Sequence, residues 1–224
     1  MILMRAAAAA AATLALSLPT APAHAADSPP RVREVVPIGV AVASLPVATE
    51  DRTGYQRTSF KHWNAGQIPS DGCNTRAEVL IAEAVEAPVV GPGCTLTGGL
   101  WWSYYDDQPV TPASALDIDH MVPLAEAWDS GASSWTAQRR EAYANDLGQE
   151  TSLVAVTARS NRSKADQDPA EWLPPSAEAL CRYGAEWTAT KLRWGLVVDE
   201  AERDRLLDIA AGCGGTDVEF TPVL

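Results

Sequence analysis

Two stretches set the limits on what this chain can fold into. In Leu116-Asp117-Ile118-Asp119-His120 apolar and polar residues alternate, and Pro123 follows. A period of two is the mark of a half-buried strand, and the proline ends it. Further on, Leu153-Val154-Ala155-Val156 is a second apolar run that leads straight into the helix-compatible residues 158–165, which carry Asn161. Strand, connection, strand and short helix make a ββα unit. Asp119 and His120 sit at one end of it and Asn161 at the other.

Those residue types carry chemistry. A carboxylate beside an imidazole either holds a divalent cation or helps take a proton from water. An unperturbed imidazole titrates near neutrality, so His120 suits the role of base. Asp119 and Asn161 both offer oxygen, which favours a hard ion: Mg²⁺ first, with Mn²⁺ and Ca²⁺ as alternatives, ahead of Zn²⁺. Arg159, Arg162 and Lys164 cluster beside Asn161 as candidate nucleic-acid contacts that would position a strand without reading its sequence.

Three pieces together carry a family resemblance: Asp119-His120-x-x-Pro123-Leu124, Asn161-Arg162-Ser163-Lys164, and Asp168-Pro169-Ala170-Glu171-Trp172-Leu173-Pro174-Pro175. The chain resembles the HNH (His-Me finger) endonucleases, in particular secreted relatives of the GmrSD-type C-terminal nuclease domain, over roughly Cys73 to Cys213. The resemblance implies an α+β fold around a ββα-metal core. It implies a metal-dependent endonuclease acting on nucleic acid, DNA ahead of RNA, with His120 as general base and Asp119 and Asn161 holding the cation. Relatives share a Cys-x-Thr-Arg motif like that ending at Arg76, which places Arg76 at the scissile phosphate. The family also orients its base with an asparagine. Counting back from Asn161 by the usual spacing reaches Ser152, so Asn145 is the candidate replacement and Asp146 its rival.

The compartment follows from the ends and the cysteines. Residues 1–25 read as a signal peptide: Arg5, an apolar stretch from Ala6 to Leu18, and the small-x-small site Ala23-His24-Ala25. The apolar stretch is too short and Ala-rich for a membrane anchor. The expectation is a secreted protein without a membrane segment after cleavage. Four cysteines in an exported chain form two disulfides. Three pairings are open, and Cys73–Cys94 with Cys181–Cys213 is favoured because each pair is local and brackets a recognisable unit. Without any Cys-x-x-Cys, a four-cysteine zinc site is disfavoured.

The formal net charge of −12 counts against tight, non-specific DNA binding, since phosphate contact is electrostatic. Residues 26–50, rich in Pro, Ala and Val, read as a partly ordered lead-in, and 51–224 as one domain. Asp51–Asn64 interleaves aromatic and basic residues, including His62 and Trp63. Thr75-x-x-Glu78 opens a helix to about Val85. A hairpin follows around Gly91-Pro92-Gly93, ending in Leu100–Tyr105. An inserted helix spans Thr136–Leu147. Asp168-Pro169 starts another, Ser176–Trp194 a longer one, and Asp199-x-x-Glu202 the last; a Cys181–Cys213 bridge would staple the last two. The competing functional reading is a non-catalytic extracellular module that binds cell-wall glycan through its Trp and Tyr residues.

Overall fold

The structure, a computed structural model, describes residues 32–223; the leader read at 1–25 lies outside them. In chain order the elements are β1 (Glu34–Pro37), α1 (Ile38–Ser44), α2 (Thr75–Ala82), β2 (Val89–Gly91), β3 (Thr95–Thr97), β4 (Trp101–Ser103), β5 (Gln108–Val110), β6 (Leu116–His120), α3 (Leu124–Asp129), α4 (Ala137–Ala144), β7 (Leu153–Thr157), α5 (Ala158–Lys164), α6 (Leu180–Trp194), α7 (Glu200–Gly212) and β8 (Asp217–Phe220). The strands pair two by two and antiparallel: β1 with β8, β2 with β3, β4 with β5, and β6 with β7. The class is α+β, as expected.

The strand–connection–strand–helix order is present. β6 runs against β7 with Leu116 opposite Thr157 and His120 opposite Leu153. α5 follows β7 directly, and α3 and α4 are inserted between the strands. Opposed residues of an antiparallel pair share a face, and successive residues alternate. Asp117, Asp119, Val154 and Val156 therefore lie on one face, and Leu116, Ile118, His120, Leu153 and Ala155 on the other. Both faces are covered. Val154 and Val156 belong to a core with Tyr105, Tyr183 and Trp187. Leu116, Ile118, Leu153 and Ala155 join Val79 and Leu80 of α2 and Trp101 in a second. Coverage on both sides explains the unbroken apolar run of β7. A fully buried leucine such as Leu116 contributes roughly 1.5–3 kcal/mol. Trp101 is as deeply buried and donates its Nε1–H to the Leu80 carbonyl at 2.6 Å.

Local signals fixed most helix starts. The cap of α2 is Asn74, one residue before the expected Thr75, and its side chain accepts from the Ala77 N–H at 2.9 Å. Glu78, read as the partner in a capping box, instead accepts from the Gln67 N–H at 2.6 Å, and the helix ends at Ala82. Thr136 caps α4, which ends at Ala144 rather than Leu147. Asp168 does cap: it accepts from the N–H groups of Ala170 and Glu171 at 2.6 and 3.1 Å. Only one turn forms, however, before Pro174-Pro175. α6 stops on Gly195, whose φ of +66° glycine adopts freely, and Asp199 caps α7.

Both favoured disulfides are present, with Cα separations of 5.0 Å for Cys73–Cys94 and 5.4 Å for Cys181–Cys213. The second staples α6 to the end of α7. Gly184 lets these helices close: a Cβ there would lie 2.9 Å from Ile209 Cγ2. The lead-in expected over 26–50 supplies β1 and α1, and Ile38, Ala41, Val42 and Leu45 enter the larger core. Among the described residues, no helix is long and apolar enough to cross a membrane.

Candidate functional site

His120 ends β6 and is buried, 6% exposed. Its Nε2 lies 3.0 Å from the Ala144 carbonyl oxygen. A carbonyl only accepts, so Nε2 carries the proton and Nδ1 keeps its lone pair. Nδ1 has no hydrogen-bond partner among the described residues. Burial pushes the imidazole's pKa down to about 3, with the charges of His62, Arg57 and Lys164 adding to it and the Ala144 bond opposing. The ring is therefore neutral at any physiological pH. Trp63 lies across it, centroids 5.4 Å apart at a 32° tilt, and His62 stands at 6.2 Å, edge-on. Trp63 has φ of +60°, rare for a bulky residue.

Asp119 points to the opposite face. Its Oδ2 accepts from Lys164 Nζ at 2.5 Å and from the Tyr105 hydroxyl at 2.6 Å. Burial pushes the carboxyl's pKa up, and the Lys164 ammonium opposes that. Lys164, expected at a flanking phosphate, is fully buried instead. Its ammonium also donates to the carbonyls of His120 and Met121 at 3.1 and 2.8 Å, and the rings of Tyr105, Tyr183 and Trp187 surround it at 5.4–5.9 Å. Nothing in the sequence of a short polar helix distinguishes an interior lysine from a phosphate-binding one.

Asn161 does not meet Asp119. Its Nδ2–H donates to Asp117 Oδ2 at 3.3 Å, where Arg162 Nε also donates at 3.2 Å. Arg162 and Arg159 are exposed on α5. Arg76 donates to the Leu116 carbonyl at 2.9 Å from the α2 side. The three candidates for orienting His120 have other partners. Asn145 accepts from Asn64 N–H and Thr75 Oγ1 and donates to the carbonyls of Lys61 and Glu141, so it pins the 61–64 segment that bears His62 and Trp63. Ser152 donates to Asp146, and Asp146 is held by Arg193 at 2.6 and 2.8 Å. The group that orients the imidazole is the main-chain carbonyl of Ala144, which no residue type announces. His62 and Trp63 had a signal in the aromatic–basic interleaving of Asp51–Asn64.

As they stand, Asp119 and Asn161 do not fit a shared cation: one carboxylate is neutralised by an internal ammonium, and the amide faces a different aspartate. Elsewhere the carboxylates of Glu50, Glu126 and Asp129 approach within 4.8 Å of one another. Lys191 and Arg52 already neutralise Glu126 and Asp129, and burial beside Glu126 holds Glu50 protonated, with a pKa up to about 9.

The domain is thus a disulfide-bonded α+β unit with a buried imidazole at the end of a helix-backed hairpin, and its nuclease type rests on the family it matches. The chain belongs to the family of GmrSD restriction endonucleases, C-terminal domain, whose model matches residues 95–209. It is also 42% identical over 161 residues to an uncharacterized secreted protein of Arthroderma benhamiae, covering 71% of this chain and 76% of that one. No solved structure matches. With a secreted relative at this identity and both disulfides formed, the chain is a secreted protein.

Proposed function

We propose that the protein is an extracellular endonuclease of the HNH type that hydrolyses phosphodiester bonds, in DNA ahead of RNA, with His120 as general base. A phosphodiester resists water because its anion repels nucleophiles and its alkoxide leaves poorly. An imidazole held unprotonated and in one tautomer can take a proton from water, and the burial that weakens it as a base is offset when an anionic phosphate binds beside it. The observation that carries the reading is the Nε2–H of His120 fixed on the Ala144 carbonyl, which leaves Nδ1 as a lone pair of fixed direction. Arg57, whose charge reaches the imidazole, is the cation to hold the phosphate there; Arg76 is bonded to the Leu116 carbonyl, at the other end of β6. Arg159 and Arg162 on α5 suit flanking phosphates. The family implies a divalent ion, Mg²⁺ first. Holding it between Asp119 and Asn161 requires both to leave their present partners, so the hydrolysis proposed here is not routed through it.

A plasmid-nicking assay tests the reading. Mature protein and His120→Ala are incubated with supercoiled DNA in Mg²⁺, Mn²⁺ or EDTA. General-base loss lowers the rate by roughly 10²–10⁴-fold. Undiminished nicking by the variant would remove His120 from the role. A second reading, a glycan-binding module, has one observation in its favour: Trp102 is 49% exposed at the rim of a cavity. Retention on cell-wall polysaccharide without nicking in any metal would favour it.

A further inference from the structure

A cavity that His120 does not line opens beside β7, with Leu153, the cross-strand neighbour of His120, in its floor. It encloses about 680 Å³ between α2, the end of β4, the 146–151 segment and the start of α6. That is the size of pockets that take a small organic molecule. Its floor is apolar, from Val79, Leu147 and Leu153, and its rim carries Val85 and Trp102, 64% and 49% exposed. Two of the chain's exposed large apolar side chains thus line one concavity, which an occupant would cover.

The polar walls have one sign. Arg182 is the only cationic side chain of the lining, and Glu186 takes it up at 2.7 Å while also accepting from the Tyr104 hydroxyl at 2.5 Å. The guanidinium sits over the Tyr104 ring, 3.9 Å from its centroid. Glu78, Glu83 and Glu150 also line the cavity, and none of the three has an ion-pair partner among the described residues. Glu83 accepts one main-chain bond, from the Ala155 N–H at 2.9 Å, which fixes its carboxyl in place.

We propose that this cavity binds a small organic cation, an amine or guanidine on an apolar stem, with Glu83 as its counter-ion and Trp102 covering the stem. Carboxylates without an ion-pair partner favour a cation, and the exposed indole favours an organic one over a bare metal ion. Neither the base nor the nucleic-acid contacts proposed above enter this site.

Protonation offers a signature that mere surface charge would not. Burial holds the Glu83 carboxyl up to about 7; Glu186 and Glu150 push it the same way, and Arg182 and the Ala155 bond oppose. A cation needs the ionised form. Affinity therefore rises with pH through this window, by roughly tenfold from pH 6 to pH 8.

The experiment is titration calorimetry on the full mature protein at pH 6 and pH 8. The probes are agmatine, MgCl₂ as a bare cation and cellotetraose as a neutral sugar. The expected result is one-to-one binding of agmatine that tightens about tenfold at the higher pH. Glu83→Gln keeps an acceptor for Ala155, so it should fold, weaken agmatine by at least tenfold and abolish the pH dependence. Trp102→Ala, on an exposed side chain, should weaken agmatine and leave Mg²⁺ unchanged. Absence of agmatine heat at both pH values would overturn the proposal, as would binding indifferent to both substitutions, or tighter binding of cellotetraose.

Discussion

The burial of His120 makes a quantitative prediction about acid. In the unfolded chain this imidazole takes a proton near its ordinary 6.5, and in the folded chain only near 3. Between those values the unfolded state binds more protons, so folding stability rises with pH and falls on acidification. Above about 6.5 the contribution is fully present; by 3 it is gone. The whole span corresponds to about 5 kcal/mol, and a descent from pH 7.5 to 5 to about 2 kcal/mol. Other groups work the opposite way: Glu83 and Glu202, each held up to about 7, gain stability as pH falls toward their unfolded values. The measurement is therefore a difference. Urea unfolding, followed by tryptophan fluorescence at constant salt, is compared between the parent and His120→Gln, which retains an N–H donor for the Ala144 carbonyl. The variant is expected to be less stable at pH 7.5 but to lose about 2 kcal/mol less on going to pH 5. Parallel losses, within about 0.5 kcal/mol, would mean that the imidazole titrates freely in the folded protein. The description of a shielded, preset base would then be wrong.

Two further outcomes test the frame around the site. Arg193→Met leaves the Asp146 carboxylate buried beside Ser152 and Trp194 without its cation; the expected cost is about 3–5 kcal/mol, read as a drop in Tm, with Asp146→Asn in the same chain restoring part of it. Reducing Cys181–Cys213, which closes 32 residues, should cost about 3–4 kcal/mol through the freedom returned to the unfolded chain. An unchanged Tm in tris(2-carboxyethyl)phosphine, with both free thiols confirmed by labelling, would show that packing of α6 on α7 alone suffices.

Local signals carried much of this fold. Strand alternation in β6, the apolar run of β7, the acidic caps of α7 and the Asp168 turn, and the local cysteine pairs were all legible because each is decided within a few residues or by loop length. Non-local pairings were not. β1 finds its partner β8 near the other end of the chain, and neither strand has a period that announces the other. The site suffered from the same limit. Lys164 has an ordinary helix-surface context in sequence, and only the fold places Asp119 and three aromatic rings around it. The carbonyl that orients His120 belongs to an alanine, so no side chain marks it. Asn145 lies near the imidazole but bonds elsewhere: it pins the segment bearing Trp63, while the residue before it touches the imidazole.

Adjacent residues of a β-strand face opposite ways, so Asp119 and His120, once placed in β6, do not converge unless the strand breaks between them. In this structure it does not break: His120 is still paired with Leu153. The link between the two runs through the main chain instead. Asp119 fixes the Lys164 ammonium, and that ammonium donates to the carbonyls of His120 and Met121. The carboxylate thus holds the strand end from below while the Ala144 carbonyl fixes the ring from the side. An aspartate that does not touch the imidazole still helps fix where it stands. That dependence arises because a buried ammonium with one carboxylate and two carbonyls is costly to displace.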